Sequence, residues 1–319
     1  MLVSRSHEEH LLIIRLSHAQ YDGYSIAPLL QDLATAYNEH PSEVSTATSF
    51  SDYIYYCRQR ESKDSIEFWR EHLQGSRIAI IPFPSANASD EIISVRESAS
   101  KSLPPLPEDT TYAILVNASV SLVLSKLVGS DDILFDLVVN TRTLPMQGID
   151  TIVGPCINIL PFRVFLQQGQ SVDNLCINVR EQYANVSQHY HIELADIAGL
   201  SNSWSTIKAP LQFGCIVNHV NLDENSEPLS LEGLSCSSFP TATRIDFQNQ
   251  VLIRSTIHEE EICIEVLTST GAKTRAWGNK LASSIATAVL STVEHLSEKF
   301  HSSLSSVDID LDGLSAGLD

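Results

Sequence analysis

The sequence predicts a mixed α/β fold, in which strands and helices interleave. Short β-prone apolar runs alternate with longer stretches whose apolar residues recur at helical spacing. Clusters of Gly, Pro, Asp and Ser stand between them as turns. No internal period is present, which sets solenoids and propellers aside.

The first run, Leu11-Leu12-Ile13-Ile14-Arg15-Leu16, predicts a strand that ends at Ser17-His18-Ala19-Gln20-Tyr21-Asp22-Gly23. Ile26, Leu29, Leu30, Leu33 and Tyr37 then fall at helical spacing. Two more helices are predicted over Ser51 to Arg60 and Asp64 to Leu73, with Gly75 closing the second. From Ile78 the texture becomes extended and then, from Pro82 to Pro107, polar and Pro-rich, which places a lobe boundary near residue 76. Thr111 to Val128 predicts a buried helix, and Asn117, Ser121, Ser125 and Lys126 interrupt it too often for a membrane span.

After the turn cluster Gly129-Ser130-Asp131-Asp132, the run Ile133 to Val139 reads as a buried strand that delivers Asn140-Thr141-Arg142 to its end. A loop with Pro145 and Gly148 leads to a strand-like segment, Ile152 to Val164, punctuated by Gly154-Pro155. Ser171 to His189 is predicted helical, Leu211 to His219 and Cys263 to Leu267 extended, and Arg275 to Lys299 a long C-terminal helix with Ala, Leu and Ile on its inner face.

Composition narrows the function classes. With 43% hydrophobic and 18% charged residues the chain can bury a substantial core. Its formal charge of -19, with no offsetting Lys/Arg cluster, disfavours nucleic acid and anionic membranes as partners. Six cysteines lie scattered without a C-x-x-C pair, an arrangement that reads as thiols buried in a reducing, cytoplasmic compartment and not as a zinc site. The N-terminal residues lack the apolar core of a signal peptide.

His18 is the first candidate for chemistry, because an imidazole at a strand end can exchange a proton near neutral pH. On residue pattern alone, H-x-x-x-D-G also suits a histidine hydrogen-bonded within a core. His189 and His191 suit a solvated surface. His7-Glu8-Glu9-His10 lacks the spacing that sets two metal ligands on one helical face. His219 and Asn221 after a strand suit either substrate contact or a turn, Asn158 either substrate contact or backbone hydrogen bonds, and Cys156 a packed structural thiol.

Taken in order, Ser17-His18-x-x-x-Asp22-Gly23, Phe50-Ser51-Asp52-Tyr53, Phe68-Trp69-Arg70-Glu71-His72-Leu73, Val138-Val139-Asn140-Thr141-Arg142, Val153-Gly154-Pro155-Cys156-Ile157-Asn158 and Phe213 to Asn221 resemble the condensation domain of nonribosomal peptide synthetases. Gly-Pro-Cys-x-Asn, and Ser17 in place of the first histidine of the usual pair, are similar to fungal members and in particular to terminal, cyclising condensation-like domains. The resemblance runs from about Leu11 to about Lys299. It implies a two-lobed fold of chloramphenicol-acetyltransferase type and transfer of an acyl group from a phosphopantetheine thioester on a carrier protein to an amine, for amide formation or macrocyclising release. It implies His18 as the catalytic histidine and Asp22 and Arg142 as an orienting pair. Ser17, Gly23, Asn158, His219 and Asn221 would line the substrate tunnel. Carrier (thiolation) domains and other synthetase domains are the implied partners, with the 4'-phosphopantetheine arm as substrate and no directly bound cofactor or metal.

Two departures accompany the resemblance. Only 17 residues precede His18, so the expectation is a truncated domain, with residues 1–76 a remnant of the first lobe and 77–319 the second lobe. Thr141 stands where the family usually has Gly before the arginine. A second reading follows from the first departure: an idle truncated domain that serves as a carrier-protein or partner-docking module. A free-standing acyltransferase using a CoA thioester fits less well, because the D-F-G-W-G motif of plant-type enzymes is absent.

Overall fold

The computed structural model describes residues 1–38, 48–60, 63–84, 91–200, 214–221, 229, 231–237 and 250–311. The chain divides into two units, a smaller one formed by Met1–Arg60, Asn140–Ile157 and Asn225–Pro240, and a larger one formed by the rest. This division does not run at residue 76. The helix Lys63–His72 belongs to the larger unit because Trp69 and Leu73 are buried in its apolar core. The segment Asn140–Ile157 belongs to the smaller unit because Ile149, Ile152 and Cys156 cluster with Tyr53 and Cys57.

In the smaller unit, β1 (Leu2–Ser4) and β2 (His10–Leu12) form an antiparallel ribbon whose residues are all exposed. The strand predicted over 11–16 is therefore only half formed. Met1 and Ile13 exchange backbone hydrogen bonds at the end of the ribbon, and Ile14 to Leu16 then continue without a ladder partner among the described residues. A 3-10 turn, Gly23–Ser25, starts α1 (Ile26–Tyr37), as the apolar spacing predicts. In α2 (Phe50–Gln59) Ser49 and Asp52 form a reciprocal capping box, which satisfies two donors at the helix start.

The larger unit is built on a six-stranded mixed sheet in the order β3-β8-β7-β6-β4-β5: β3 (Ile92–Ser102), β4 (Asp132–Asn140), β5 (Ile157–Phe165), β6 (Cys215–Asn221), β7 (Val251–His258) and β8 (Glu261–Gly271). β3, β8 and β7 pair antiparallel, whereas β6 lies parallel to both β7 and β4. Sequence reading missed β3 and β7. β3 is an edge strand whose Ser-, Arg- and Lys-rich residues are mostly exposed, so it lacks the apolar texture of a buried strand. The expected strand start at 211–213 lies outside the described residues.

Helices α3 (Lys63–His72), α4 (Tyr112–Val128), α5 (Val172–Ser187), α6 (Leu194–Gly199) and α7 (Arg275–Glu298) complete this unit. α4 packs against both α5 and α7, and α7 lies on β3 and β8. Thr111 caps the start of α4, and Gly129, at φ +67, ends it in the left-handed conformation that glycine adopts without strain. Eleven consecutive residues of α4, Ile114 to Leu124, are buried, which explains its near-continuous apolar sequence.

His189 and His191 are not on a solvated face, contrary to expectation. Phe68 stacks on His189 at 4.1 Å, and Ser65 bridges His189 Nδ1 (2.9 Å) and His191 Nε2 (3.3 Å). Together these contacts bind α3 to the segment after α5. Among the described residues no helix is long and apolar enough to cross a membrane, no group of His, Cys, Asp and Glu is arranged to hold a metal ion, and none of the six cysteines forms a disulfide.

Candidate active site

Asp22 organises the smaller unit. Its Oδ1 accepts from the Ser25 backbone N (2.9 Å) and the Ser25 hydroxyl (2.7 Å), while the Asp22 N–H donates to Ser25 Oγ. This capping box fixes the turn Gly23–Ser25 and aims the carboxylate inward. Opposite it, the 3-10 turn Thr141–Thr143 ends β4, with Asn140 Oδ1 accepting from the Arg142 N–H. Arg142 Nη2 then reaches both Asp22 oxygens, at 2.9 and 3.0 Å. Asp22 is 1% exposed and Arg142 7%, so the pair is buried.

A buried ion pair persists only when its remaining donors and acceptors find partners. Arg142 Nη1 donates to Ile149 O, and Nη2 also lies within reach of Ile152 O and Gly154 O. Ser25 Oγ, its proton given to Asp22, accepts from Gly154 N at 3.0 Å and lies 3.0 Å from Gly154 O. The loop 149–154 is thus folded around the guanidinium, and the Arg142 Cζ lies 5.8 Å from the centroid of the Tyr24 ring. The pairing implied by the resemblance forms despite Thr141, whose hydroxyl meets Tyr53 Oη at 2.6 Å.

His18 stands four residues before Asp22, exposed, in a turn. Its Nδ1 lies 3.0 Å from Tyr21 O and its ring stacks on Tyr21. A carbonyl only accepts, so Nδ1 carries the proton and Nε2 presents a free lone pair. Ser17 is tied locally: its N–H donates to Gln20 Oε1, and its carbonyl accepts from Gln20 N. Gly23 opens the 3-10 turn, and a Cβ there would meet nothing within 4 Å.

The other predicted residues lie in the larger unit. Asn158 commits both hydrogens of its amide nitrogen, to Tyr190 O (2.9 Å) and Ile192 O (2.7 Å), and its Oδ1 accepts from Ile159 N. These bonds staple β5 to the segment after α5, the backbone-bonding alternative that the sequence left open for Asn158. His219 has both ring nitrogens engaged, Nδ1 with Ser255 Oγ (2.6 Å) and Nε2 with Asn117 Oδ1 (3.0 Å). The amide oxygen must accept, so Nε2 holds the proton and the serine donates to Nδ1. Burial pushes this imidazole down to about 4, so it is neutral near pH 7 where it links β6, β7 and α4. Asn221 closes β6, and its side chain lies outside the described residues.

Cys156 is fully buried, and burial, against the nearby Arg142, pushes its thiol up to about 11, so it is an unreactive packing residue as expected. Sequence reasoning missed Ser25, Gly154 and the Tyr53–Thr141 contact. Ser25 was detectable as the third residue after Asp22, the spacing of a reciprocal cap. Nothing in the sequence signals that Tyr53 and Thr141 meet, since they are 88 residues apart.

The profile of the family described as Condensation domain matches residues 1–312. The chain is 34% identical over 275 residues to the nonribosomal peptide synthetase fmqA of Aspergillus fumigatus, covering 84% of this chain and 7% of that one. It is 32% identical over 309 residues to penN of Penicillium thymicola, covering 97% and 11%. Among solved structures, one described as the crystal structure of CT superposes with a TM-score of 0.78 at 28% identity, over 92% of this chain and 64% of that one. The X-domain in complex with OxyB from teicoplanin biosynthesis superposes at 0.69 with 20% identity, over 93% and 69%, a likeness of fold. The chain therefore spans about a tenth of these curated relatives and just under two thirds of the CT chain.

Proposed function

The chain belongs to the condensation-domain family of nonribosomal peptide synthetases, and from that premise we propose that it transfers an acyl group from a carrier-bound phosphopantetheine thioester to an amine, with His18 as the catalytic residue. The observation that carries this reading is the state of His18. Its Nδ1 proton is held by Tyr21 O, its ring is exposed with Nε2 in no hydrogen bond among the described residues, and the turn that follows it is fixed by the buried Asp22–Arg142 pair.

The chemistry follows from these groups. An α-amino group has a pKa of about 7.7 to 8.0, so much of it is protonated at neutral pH and only the free base attacks. As the amine nitrogen bonds to the thioester carbon, it must lose a proton, and Nε2 accepts it. The tetrahedral centre collapses with cleavage of the C–S bond, the sulfur leaves as a thiolate, and the imidazolium returns the proton to it. Amide and free thiol are the products, and no oxidant, metal or further reactant is consumed. Asp22 and Arg142 are positioning residues, 120 positions apart, the guanidinium's terminal nitrogens being further held by backbone carbonyls, and they move no proton.

Terminal, macrocyclising release is the specific form we favour, supported by the likeness to the CT structure and by Ser17 in the place of the first histidine. Carrier domains are the proposed partners, the phosphopantetheine arm is substrate, and the cytoplasm is the proposed site of action. The test is His18→Ala in the full chain, supplied with acyl-loaded carrier protein and an amine. Transfer should fall about 10²- to 10⁴-fold with thermal stability unchanged. Equal turnover by the variant and the unaltered chain removes His18 from the mechanism, whereas no turnover by either leaves the idle docking module as the better reading.

A further inference from the structure

We propose that Tyr53 is a positioning residue for this site, acting through the hydroxyl of Thr141 to hold the turn that aims Arg142 at Asp22. The inference rests on the acyl-transfer reading above and adds a residue to it. Tyr53 lies on α2, is 5% exposed, and sits in the small apolar cluster with Cys57, Ile149, Ile152 and Cys156. Its hydroxyl is 2.6 Å from Thr141 Oγ1, and Thr141 is fully buried. Both hydroxyls are thus away from water, where an unpaired oxygen is costly, so each specifies the position of the other.

Thr141 is the residue immediately before Arg142 and the first of the 3-10 turn Thr141–Thr143. The Thr141 N–H donates to Cys156 O at 3.1 Å, and the Arg142 N–H is held by Asn140 Oδ1. These two bonds hold the backbone of the turn. Tyr53 adds a side-chain anchor to it, from a helix that the loop 140–157 does not include. Arg142 Nε is buried without a hydrogen-bond partner among the described residues, so the guanidinium is held through its two terminal nitrogens alone. A small tilt at Thr141 is carried along the whole side chain to Asp22, and from Asp22 to the turn bearing His18. Phe50, beside Tyr53 in a stacked pair, lies so close to Gly154 that no Cβ fits there, which ties α2 to the other side of the same loop.

Three variants and two readouts test this. Tyr53→Phe and Thr141→Val each remove one hydroxyl, and Thr141→Ser keeps it. The first readout is steady-state transfer: kcat should fall about ten- to a hundredfold in Tyr53→Phe, with KM for amine and loaded carrier within about twofold, the Tyr53→Phe/Thr141→Val pair no worse than either alone, and Thr141→Ser recovering most of the loss. The second is NMR of the Arg142 guanidinium, whose rotation about the Cζ–Nη bonds should be slow in the unaltered chain and Thr141→Ser, and at least about tenfold faster in Tyr53→Phe. Unchanged rotation in Tyr53→Phe overturns the proposal whatever the activity, as does a loss expressed wholly in KM. If the unaltered chain transfers nothing while the rotation still responds to Tyr53→Phe, the acyl-transfer reading fails and the positioning role of Tyr53 stands.

Discussion

The smaller unit gathers a handful of buried apolar residues, Tyr53, Cys57, Ile149, Ile152 and Cys156, beside a buried ion pair whose donors are shared among three loop carbonyls. The larger unit has a continuous apolar core running from Trp69 through α4, the sheet and α7, and its chief carboxylate–guanidinium contact, Asp132–Arg163, is partly exposed. Polar hydrogen bonds specify one geometry, whereas apolar packing tolerates several similar ones. The unit that carries His18 has thus traded apolar core for orientation, and the unit built on the large sheet has traded the other way.

The largest effect that tests this contrast is the loss of one charge. Arg142→Met should destabilise the smaller unit by about 3 to 5 kcal/mol, because Asp22 is left a buried anion and three carbonyls lose a donor. Arg163→Met in the larger unit should cost about 1 kcal/mol, since water replaces part of what the guanidinium gave to Asp132, His72 O and Gln74 O. Urea unfolding of each variant, with an Asp22→Asn/Arg142→Met cycle, measures both. Equal costs in the two units, or additivity in the cycle, would break the comparison.

A smaller, pH-dependent effect lies in the sheet of the larger unit. Asp136 on β4 is 2% exposed, its Oδ1 has no hydrogen-bond partner among the described residues, and burial raises its pKa well above the ordinary value. The folded chain therefore keeps a proton that the unfolded chain releases above about pH 3.9. The folded state binds more protons in that range, so this group's contribution is fully present below pH 3.9 and erodes as pH rises toward the folded pKa. Asp136→Asn should match the unaltered chain near pH 4 and become progressively more stable than it toward pH 8. A flat difference across that range would mean that Asp136 has an unseen cation beside it.

The elements most visible in the sequence were those whose burial is uniform. α4 and β4 are apolar because both are enclosed, and their limits agree with the runs Thr111 to Val128 and Ile133 to Val139 to within a residue. β3 was illegible because an edge strand with one contact face reads as polar, and β2 was over-read because Ile13, Ile14 and Leu16 are apolar yet lie outside any strand among the described residues. At the site, the Asp22–Arg142 contact followed from a resemblance and not from spacing, since no local pattern links residues 120 apart. Asn158 and His219 were ambiguous for one reason: a polar residue at a strand end suits a substrate contact or an internal staple equally, and their partners, Tyr190 O and Ile192 O for one and Asn117 and Ser255 for the other, are not readable from the sequence.

The smallest effect on stability is expected at Gly23, and it sharpens the comparison most finely because two glycines of the same unit differ. At Gly154 an added Cβ would overlap the Phe50 ring, so Gly154→Ala must displace the loop that surrounds Arg142. At Gly23 the same atom meets nothing within 4 Å, and the backbone is in a region open to any residue. Packing therefore gives no reason for a glycine between Asp22 and Tyr24, and Gly23→Ala should change the unfolding free energy by less than about 0.5 kcal/mol. If the empty space above Gly23 is the route by which the thioester arm reaches His18, the variant should nevertheless lose turnover, with KM for the loaded carrier rising while the melting temperature stays fixed. Unchanged KM and unchanged turnover would show that the arm passes elsewhere.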